Sequence, residues 1–236
     1  MNPAPDHPRC CSPLHHHWPL PQALAGAQLV SCHFDPQHWH PDDFARSGIA
    51  AVAGARKRQT EHLAGRLCAR QALLQLNGCT AVPAVGSDRA PCWPAGVVGS
   101  ITHGNGWAAA VVAASSAYQG LGLDVENWLS DERAARLAPE ILSPAELQHL
   151  GRLSSAQQAA HISLSFSLKE SLFKALYPLV QRRFYFHDAQ LLSAADGQAE
   201  LQLLCDLGRD WPAGSRCQGQ FVDLGAQLLS LVYIRA

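Results

Sequence analysis

Gly120-Leu121-Gly122-Leu123-Asp124-Val125-Glu126 is the stretch from which the rest of the chain can be read. Side chains along a strand alternate between faces, so Leu121, Leu123 and Val125 share one face and Gly120, Gly122, Asp124 and Glu126 the other. Two carboxylates about 7 Å apart on one face repel each other. The glycines beside them are expected to leave open space, and an all-oxygen donor set in such a setting suits a hard cation. A strand with one wet, acidic face at a loop entrance would carry the same letters.

Charge is scarce outward from this stretch. Of 236 residues, 16% are charged, against roughly 25% in typical soluble domains. The balance is 18 Lys+Arg against 19 Asp+Glu, a net charge of −1. That argues against a nucleic-acid binder held by a broad basic face. No run of about 18 apolar residues is present, so no membrane span is expected. The N-terminus, with Arg9 and His15–His17 among prolines, lacks the apolar core of a secretion signal. The eight cysteines (10, 11, 32, 68, 79, 92, 205 and 217) contain no CxxC pair, and reduced thiols in the cytoplasm are the expectation.

The length allows one large domain or two small ones. Six of the fifteen prolines fall within residues 1–21, so 1–25 reads as an extended, loosely attached extension, with His15–His17 a solvated triplet. A first strand is expected at 27–34 and a helix from Arg56 to about Leu76, ended by Asn77-Gly78. Val97–Thr102 and Trp107–Ala114 flank Gly104-Asn105-Gly106, which signals a hairpin. After the strand at 120–126, helical patterns run at 131–138, 144–151 and 155–177, and Ser143-Pro144-Ala145-Glu146 marks a helix start. Strands then alternate through 191–207 and 218–234, with turns at 195–197 and 213–214. The fold class is α+β in two halves, 26–117 and 118–236.

A third carboxylate sits where an apolar residue is expected. Ile162, Phe166, Phe173 and Tyr177 form a helical stripe, and Glu170 lies on it. A carboxylate there is costly unless paired or metal-bound. Lys174, four residues on, could pair with it, although an exposed pair of that kind is worth little. Ser171-Leu172-Phe173-Lys174 also spells the Ser-x-x-Lys of serine–lysine hydrolases, but its partner motifs Ser-Asp-Asn and Lys-Thr-Gly are absent. His33, His38 and His40 have spacings that match no common metal site. Arg56, Lys57, Arg58, Arg66 and Arg70 cluster before and along one helix. They suit phosphate recognition or a solvated helix face equally. Ser100, Thr102 and His103 add donors near the hairpin turn.

Four ordered segments carry a family resemblance: Arg56–Arg66, Trp93–His103, Gly122–Glu126 and Phe166–Ala175. The chain resembles bacterial 4′-phosphopantetheinyl transferases of the surfactin-synthetase type, in the branch of enterobactin synthase component D and the broad-range enzymes of pseudomonads. The resemblance implies a monomer of two similar α+β halves packed as a pseudo-dimer, with coenzyme A and Mg²⁺ (or Mn²⁺) in the cleft between them. The activity implied is transfer of the phosphopantetheine arm to a serine of an acyl- or peptidyl-carrier protein, releasing adenosine 3′,5′-bisphosphate. Such carriers serve fatty-acid, siderophore or other secondary-metabolite synthesis. Matched position by position, Asp124, Glu126 and Glu170 correspond to the metal-ligand carboxylates, with Asp124 also at the coenzyme. Lys169 corresponds to the lysine that contacts the coenzyme phosphates and stabilises the leaving group, and Lys174 to the second lysine of the motif. Arg58, Arg66 and His103 fall at the 3′-phosphate, and Arg89 near the adenine. Glu170 is the expected base for the attacking serine. Carrier recognition is expected on apolar surface of the second half, helped by Arg182 and Arg183.

Overall fold

The structure is a computed structural model and describes residues 7–236; the start of the expected N-terminal extension lies outside the described residues. The chain divides into two compact units, one of residues 7–18 and Leu24–Ser115, the other of Pro19–Ala23 and Ser116–Ala236.

In the first unit, β1 (His15–His16), β2 (Gln28–His33), α1 (Asp43–Ser47), α2 (Arg56–Asn77), β3 (Ala84–Val85), β4 (Pro91–Cys92), β5 (Val97–Gly104) and β6 (Trp107–Ala114) follow in order. One antiparallel sheet runs β1-β2-β6-β5, and β3 and β4 pair as a separate ribbon. The β5–β6 turn places Asn105 at φ 40° and Gly106 at φ 80°. Both signs are those of a two-residue turn that matches strand twist, which is why this dipeptide announces the hairpin. Helix α2 lies on the sheet. Its Leu63, Ala64, Leu67, Cys68 and Ala72 pack with Val30 and Cys32 of β2 and Ala108, Ala110 and Val112 of β6. Small residues on both sides bring the layers close: a Cβ on Gly65 would lie 2.8 Å from Ile101 Cγ2. Gly78, at φ 77°, ends the helix by donating its N–H to Leu74 O at 2.9 Å.

The described part of the N-terminal extension is attached rather than loose. Cys10 and Cys11 are buried in the first core. His15 and His16 pair with Ser31 and Val30 of β2, and Asp35 N donates to Cys10 O at 2.8 Å. Leu20 and Leu24 are buried as well. Proline density signals an extended path, but an extended path can still supply an edge strand and apolar side chains.

In the second unit, β7 (Tyr118–Asn127), α3 (Asp131–Ile141), α4 (Pro144–Leu150), α5 (Ser155–Val180), β8 (Ala189–Ala195), β9 (Gln198–Leu203), β10 (Arg216–Asp223) and β11 (Gln227–Arg235) follow in order. The antiparallel sheet runs β7-β11-β10-β9-β8. Ser130, Ser143 and Ser154 are the N-caps of α3, α4 and α5, the last two as capping boxes with Glu146 and Gln157. Helix α5 runs past Tyr177, where the helical pattern is expected to end, and takes in Pro178. It ends instead at Gln181, which takes φ 50° and donates its N–H to Tyr177 O at 2.9 Å.

The glycines of β7 do not leave open space. Helix α5 lies directly on them: a Cβ on Gly120 would strike Ala175 O, and one on Gly122 would strike Ser171 O. The face carrying Asp124 is therefore covered by a helix rather than wet, and Asp124 is only 4% exposed.

Two outcomes follow from this packing. Gly122→Ala should push α5 from the sheet and cost about 1–3 kcal/mol, whereas Gly151→Ala, where the nearest atom to an added Cβ is 3.8 Å away, should be near neutral; urea midpoints compare the two. A chain beginning at residue 26 should unfold at lower denaturant than the full chain, because it loses Cys10, Cys11 and the β1 pairing. An unchanged midpoint would restore the loose-extension reading.

Candidate active site

Helix α5 and strand β7 bring the acidic residues of the second unit together. Asp124 Oδ1 accepts from Lys174 Nζ at 2.7 Å, and Asp124 Oδ2 accepts from Ser167 Oγ at 2.9 Å. Lys174 Nζ also donates to Leu123 O at 3.1 Å. Lys174 therefore takes Asp124, not Glu170, as its partner. Ser171 Oγ bonds to Ser230, at 2.8 Å to the hydroxyl and 3.1 Å to the carbonyl, so Ser171 and Lys174 have separate partners and form no nucleophile–base pair.

Glu126, two residues along β7, is pushed up to about 7 by burial first and Asp124 second; Glu170 adds to the shift, while Lys174 and Arg133 oppose it. Burial likewise pushes Glu170 above the ordinary carboxylate range, with Lys174 opposing and Asp124 adding. The three carboxylates thus feel one another's charge, and Lys174 is the cation common to both shifts. Holding them all ionised is costly without a further positive charge. Among the described residues, no three His, Cys, Asp or Glu side chains are gathered as a finished metal site. The donor chemistry fits a hard cation, with two of the acids held up by burial and Asp124 compensated by an ammonium.

Glu170 also walls an aromatic cleft of about 210 Å³ with Lys169, Phe173, Arg183, Phe184 and Tyr185. Phe173 stacks on Tyr177 at 5.1 Å and tilts against Phe184 at 5.3 Å, so the apolar stripe read around Glu170 is present. Arg182 is engaged elsewhere, donating to Asp206 O at 2.8 Å. Lys169 has a different setting from Lys174. Its ammonium is buried and donates to Glu146 Oε2 at 2.7 Å and Ile141 O at 2.8 Å. Burial pulls its pKa down, and Glu146 opposes this. Glu146 reads from sequence as a helix-start residue; its reach to Lys169 joins positions 23 apart, and no local pattern signals that.

The basic residues gather in the first unit. A cavity of about 540 Å³ is lined by Arg58, Arg66, Arg89 and His103, with His62 and Glu61. Four predicted coenzyme contacts thus meet in one place. Arg66 is 6% exposed and its Nε has no hydrogen-bond partner among the described residues. A buried guanidinium N–H left in this state is a donor suited to an anion. Burial lowers the His62 pKa to about 4, helped by Arg66, His103 and Arg58, so the cavity already resists a further positive charge. Glu61 lies 3.8 Å from His103 and 3.9 Å from Lys57. Arg70 turns out of the group and donates to Ser47 O at 2.5 Å. Ser100 and Thr102 are buried on β5; strand alternation puts them opposite Ile101 and His103, which line the cavity. Ser100 and Thr102 therefore do not line this cavity.

Comparison with known proteins bears on these two clusters. Residues 48–113 match the 4′-phosphopantetheinyl transferase N-terminal domain, and residues 120–221 match the 4′-phosphopantetheinyl transferase superfamily. Enterobactin synthase component D of Salmonella typhi is 39% identical over 161 residues, 67% of this chain and 65% of that protein; the chain thus spans just under two thirds of that relative's length. The protein of the same name from Escherichia coli K12 is 40% identical over 179 residues, 75% of this chain and 82% of its own. The 4′-phosphopantetheinyl transferase PptT of Mycobacterium tuberculosis is 37% identical over 175 residues, 73% of each chain. With both family models matched in order and relatives of this identity over most of its length, the chain belongs to the 4′-phosphopantetheinyl transferase superfamily, a family of enzymes.

Proposed function

We propose that this chain transfers the 4′-phosphopantetheine arm of coenzyme A to a serine of a carrier protein. The observation that carries this reading is the trio Asp124, Glu126 and Glu170, whose negative charge Lys174 offsets only in part. Phosphoryl transfer depends on charge neutralisation and positioning more than on covalent help from the protein, and this trio would hold Mg²⁺ or Mn²⁺. When bound, the ion neutralises charge on the coenzyme diphosphate.

The chain's own residues divide the remaining work. Arg58, Arg66 and His103 bind the 3′-phosphate, the buried Arg66 Nε being the donor left without a partner among the described residues, and Arg89 lies toward the adenine. Lys174 holds Asp124 in place through the 2.7 Å pair. Lys169 donates to the diphosphate and offsets charge on the departing oxygen. Glu170, half-buried beside the aromatic cleft, accepts the proton of the carrier serine directly or through a water. The serine oxygen bonds to the phosphorus that carries the pantetheine arm. The bond from that phosphorus to the bridging oxygen breaks, and adenosine 3′,5′-bisphosphate leaves with the electron pair.

Incubation of the chain with coenzyme A, Mg²⁺ and an apo-carrier should add one phosphopantetheine mass to the carrier, and chelator should abolish the gain. A panel of fatty-acid, siderophore and peptide-synthase carriers ranked by kcat/KM identifies the physiological class. Coenzyme A binding with no transfer to any of them would instead make the chain a coenzyme-binding module. Glu170→Gln should lower kcat by about 100-fold or more while coenzyme affinity changes little; unchanged turnover removes Glu170 as the base. Arg66→Ala should weaken coenzyme A binding by about 10–100-fold and weaken dephospho-coenzyme A, which lacks the 3′-phosphate, much less. Calorimetry with the two ligands separates these outcomes.

A further inference from the structure

Glu146 does more than a capping-box glutamate requires. Its Oε2 accepts from Ser143 N at 2.7 Å, and Glu146 N donates to Ser143 Oγ at 3.3 Å. That exchange satisfies two donors at the start of α4 and normally leaves the carboxylate at the surface. Here the carboxylate is buried, 5% exposed. Its Oε1 accepts from Leu191 N on β8 at 2.8 Å, and Oε2 also takes Lys169 Nζ from the middle of α5 at 2.7 Å. The ammonium also donates to Ile141 O at the end of α3. The carboxylate therefore ties the start of α4 to β8 and to the middle of α5, and the ammonium it holds adds the end of α3.

A lysine ammonium has three N–H donors. Two are committed to Glu146 and Ile141, and Lys169 nonetheless lines the aromatic cleft beside Glu170. A flexible four-carbon side chain with a point charge is poorly placed for catalysis unless something fixes it. Donors fixed before the reaction need no reorganisation during it. We propose that Glu146 is a positioning residue for phosphopantetheine transfer: it fixes the Lys169 ammonium at the wall of the Glu170 cleft and leaves its third N–H for a phosphate oxygen of the coenzyme. The assignment rests on the functional reading above and extends it to a residue that does not touch the substrate. Glu146 acts on the reaction through Lys169; the backbone N–H groups of Ser143 and Leu191 hold its carboxylate where Lys169 needs it.

A double-mutant cycle tests the assignment. Glu146→Gln keeps the size of the side chain and an oxygen for Leu191 N, but removes the charge facing Lys169. It should lower kcat by about 10–100-fold with the KM for coenzyme A nearly unchanged. Lys169→Met should lose at least as much. The double variant should be no slower than Lys169→Met alone, because Glu146 has nothing left to position. Ser143→Ala, which breaks the capping box without touching Lys169, should lower the unfolding midpoint and keep kcat. If Glu146→Gln does not fold, Glu146→Asp replaces it, with the same expectation that its loss disappears in the Lys169→Met background. A loss of the same factor in both backgrounds, or an unchanged kcat in the single variant, overturns the assignment and leaves Glu146 a structural brace. Absence of transfer by the wild-type chain overturns the functional reading and this assignment with it, whereas wild-type transfer with additive losses overturns this assignment alone.

Discussion

The second unit depends on one close approach, that of helix α5 to strand β7 at Gly120 and Gly122. No side chain separates the two backbones there, and a methyl group at either glycine would meet a helix carbonyl. At such a distance the helix can present only small residues to the sheet. Ser167 and Ser171 fill that role, and their hydroxyls meet Ser230 of β11 at 2.7 and 2.8 Å. The same hydroxyl line ends on Asp124. A buried carboxylate is tolerable only with its lone pairs occupied, and Ser167 and Lys174 occupy them. The packing constraint and the setting of the acid are thus one arrangement: glycines admit the helix, and the helix brings the partners that occupy the oxygens of the buried Asp124 carboxylate.

What could be read from sequence was local. Asn105-Gly106 specifies its turn through two positive φ values, and Ser143 with Glu146 specifies the start of α4 through bonds three residues apart. Periodicity placed Glu170 on an apolar stripe, and the stripe is an aromatic wall. What could not be read was long-range. Nothing local says whether a glycine in a strand leaves a void or receives another backbone, so the face read as open is covered. Nothing in a proline-rich N-terminus says that its cysteines enter a core built from residues 20 to 100 positions later. The arginine cluster was legible as charge, but its members part in space: Arg66 points into the cavity, and Arg70 reaches Ser47 O. Residues four apart on a helix share a face only approximately, and that rotation is enough to separate a side chain that lines the cavity from one that braces the backbone.

The two units handle charge in opposite ways. In the first, cations converge on a cavity, and His62 shows the consequence by resisting protonation. In the second, acids converge, and Glu126 shows the consequence by holding its proton to about pH 7. Each environment is unfavourable for the protein alone, since like charges close together in partly buried surroundings cost free energy that packing has to offset. Such local frustration is expected where a ligand of opposite sign completes the site. Under the proposed function, a multiply phosphorylated coenzyme would relieve the first environment and a divalent cation the second. With so few charged residues in the chain, neither excess is diluted by a general polyelectrolyte surface.

The two lysines of α5 show how one helix serves both ends of this chemistry. Lys169 and Lys174 are five residues apart, which at 3.6 residues per turn places them on well-separated sides of the helix. Lys174 reaches across to β7 and holds Asp124; Lys169 reaches to the start of α4 and is held by Glu146. In one case the cation fixes the acid, and in the other the acid fixes the cation. Glu170 lies between them in sequence, with neither as a hydrogen-bonding partner among the described residues, and burial raises its proton affinity above that of an ordinary carboxylate. Pairing Glu170 with either lysine would have lowered its affinity for that proton. Because both lysines are engaged by other acids, Glu170 keeps the raised proton affinity that burial gives it, with Lys174 opposing only through space.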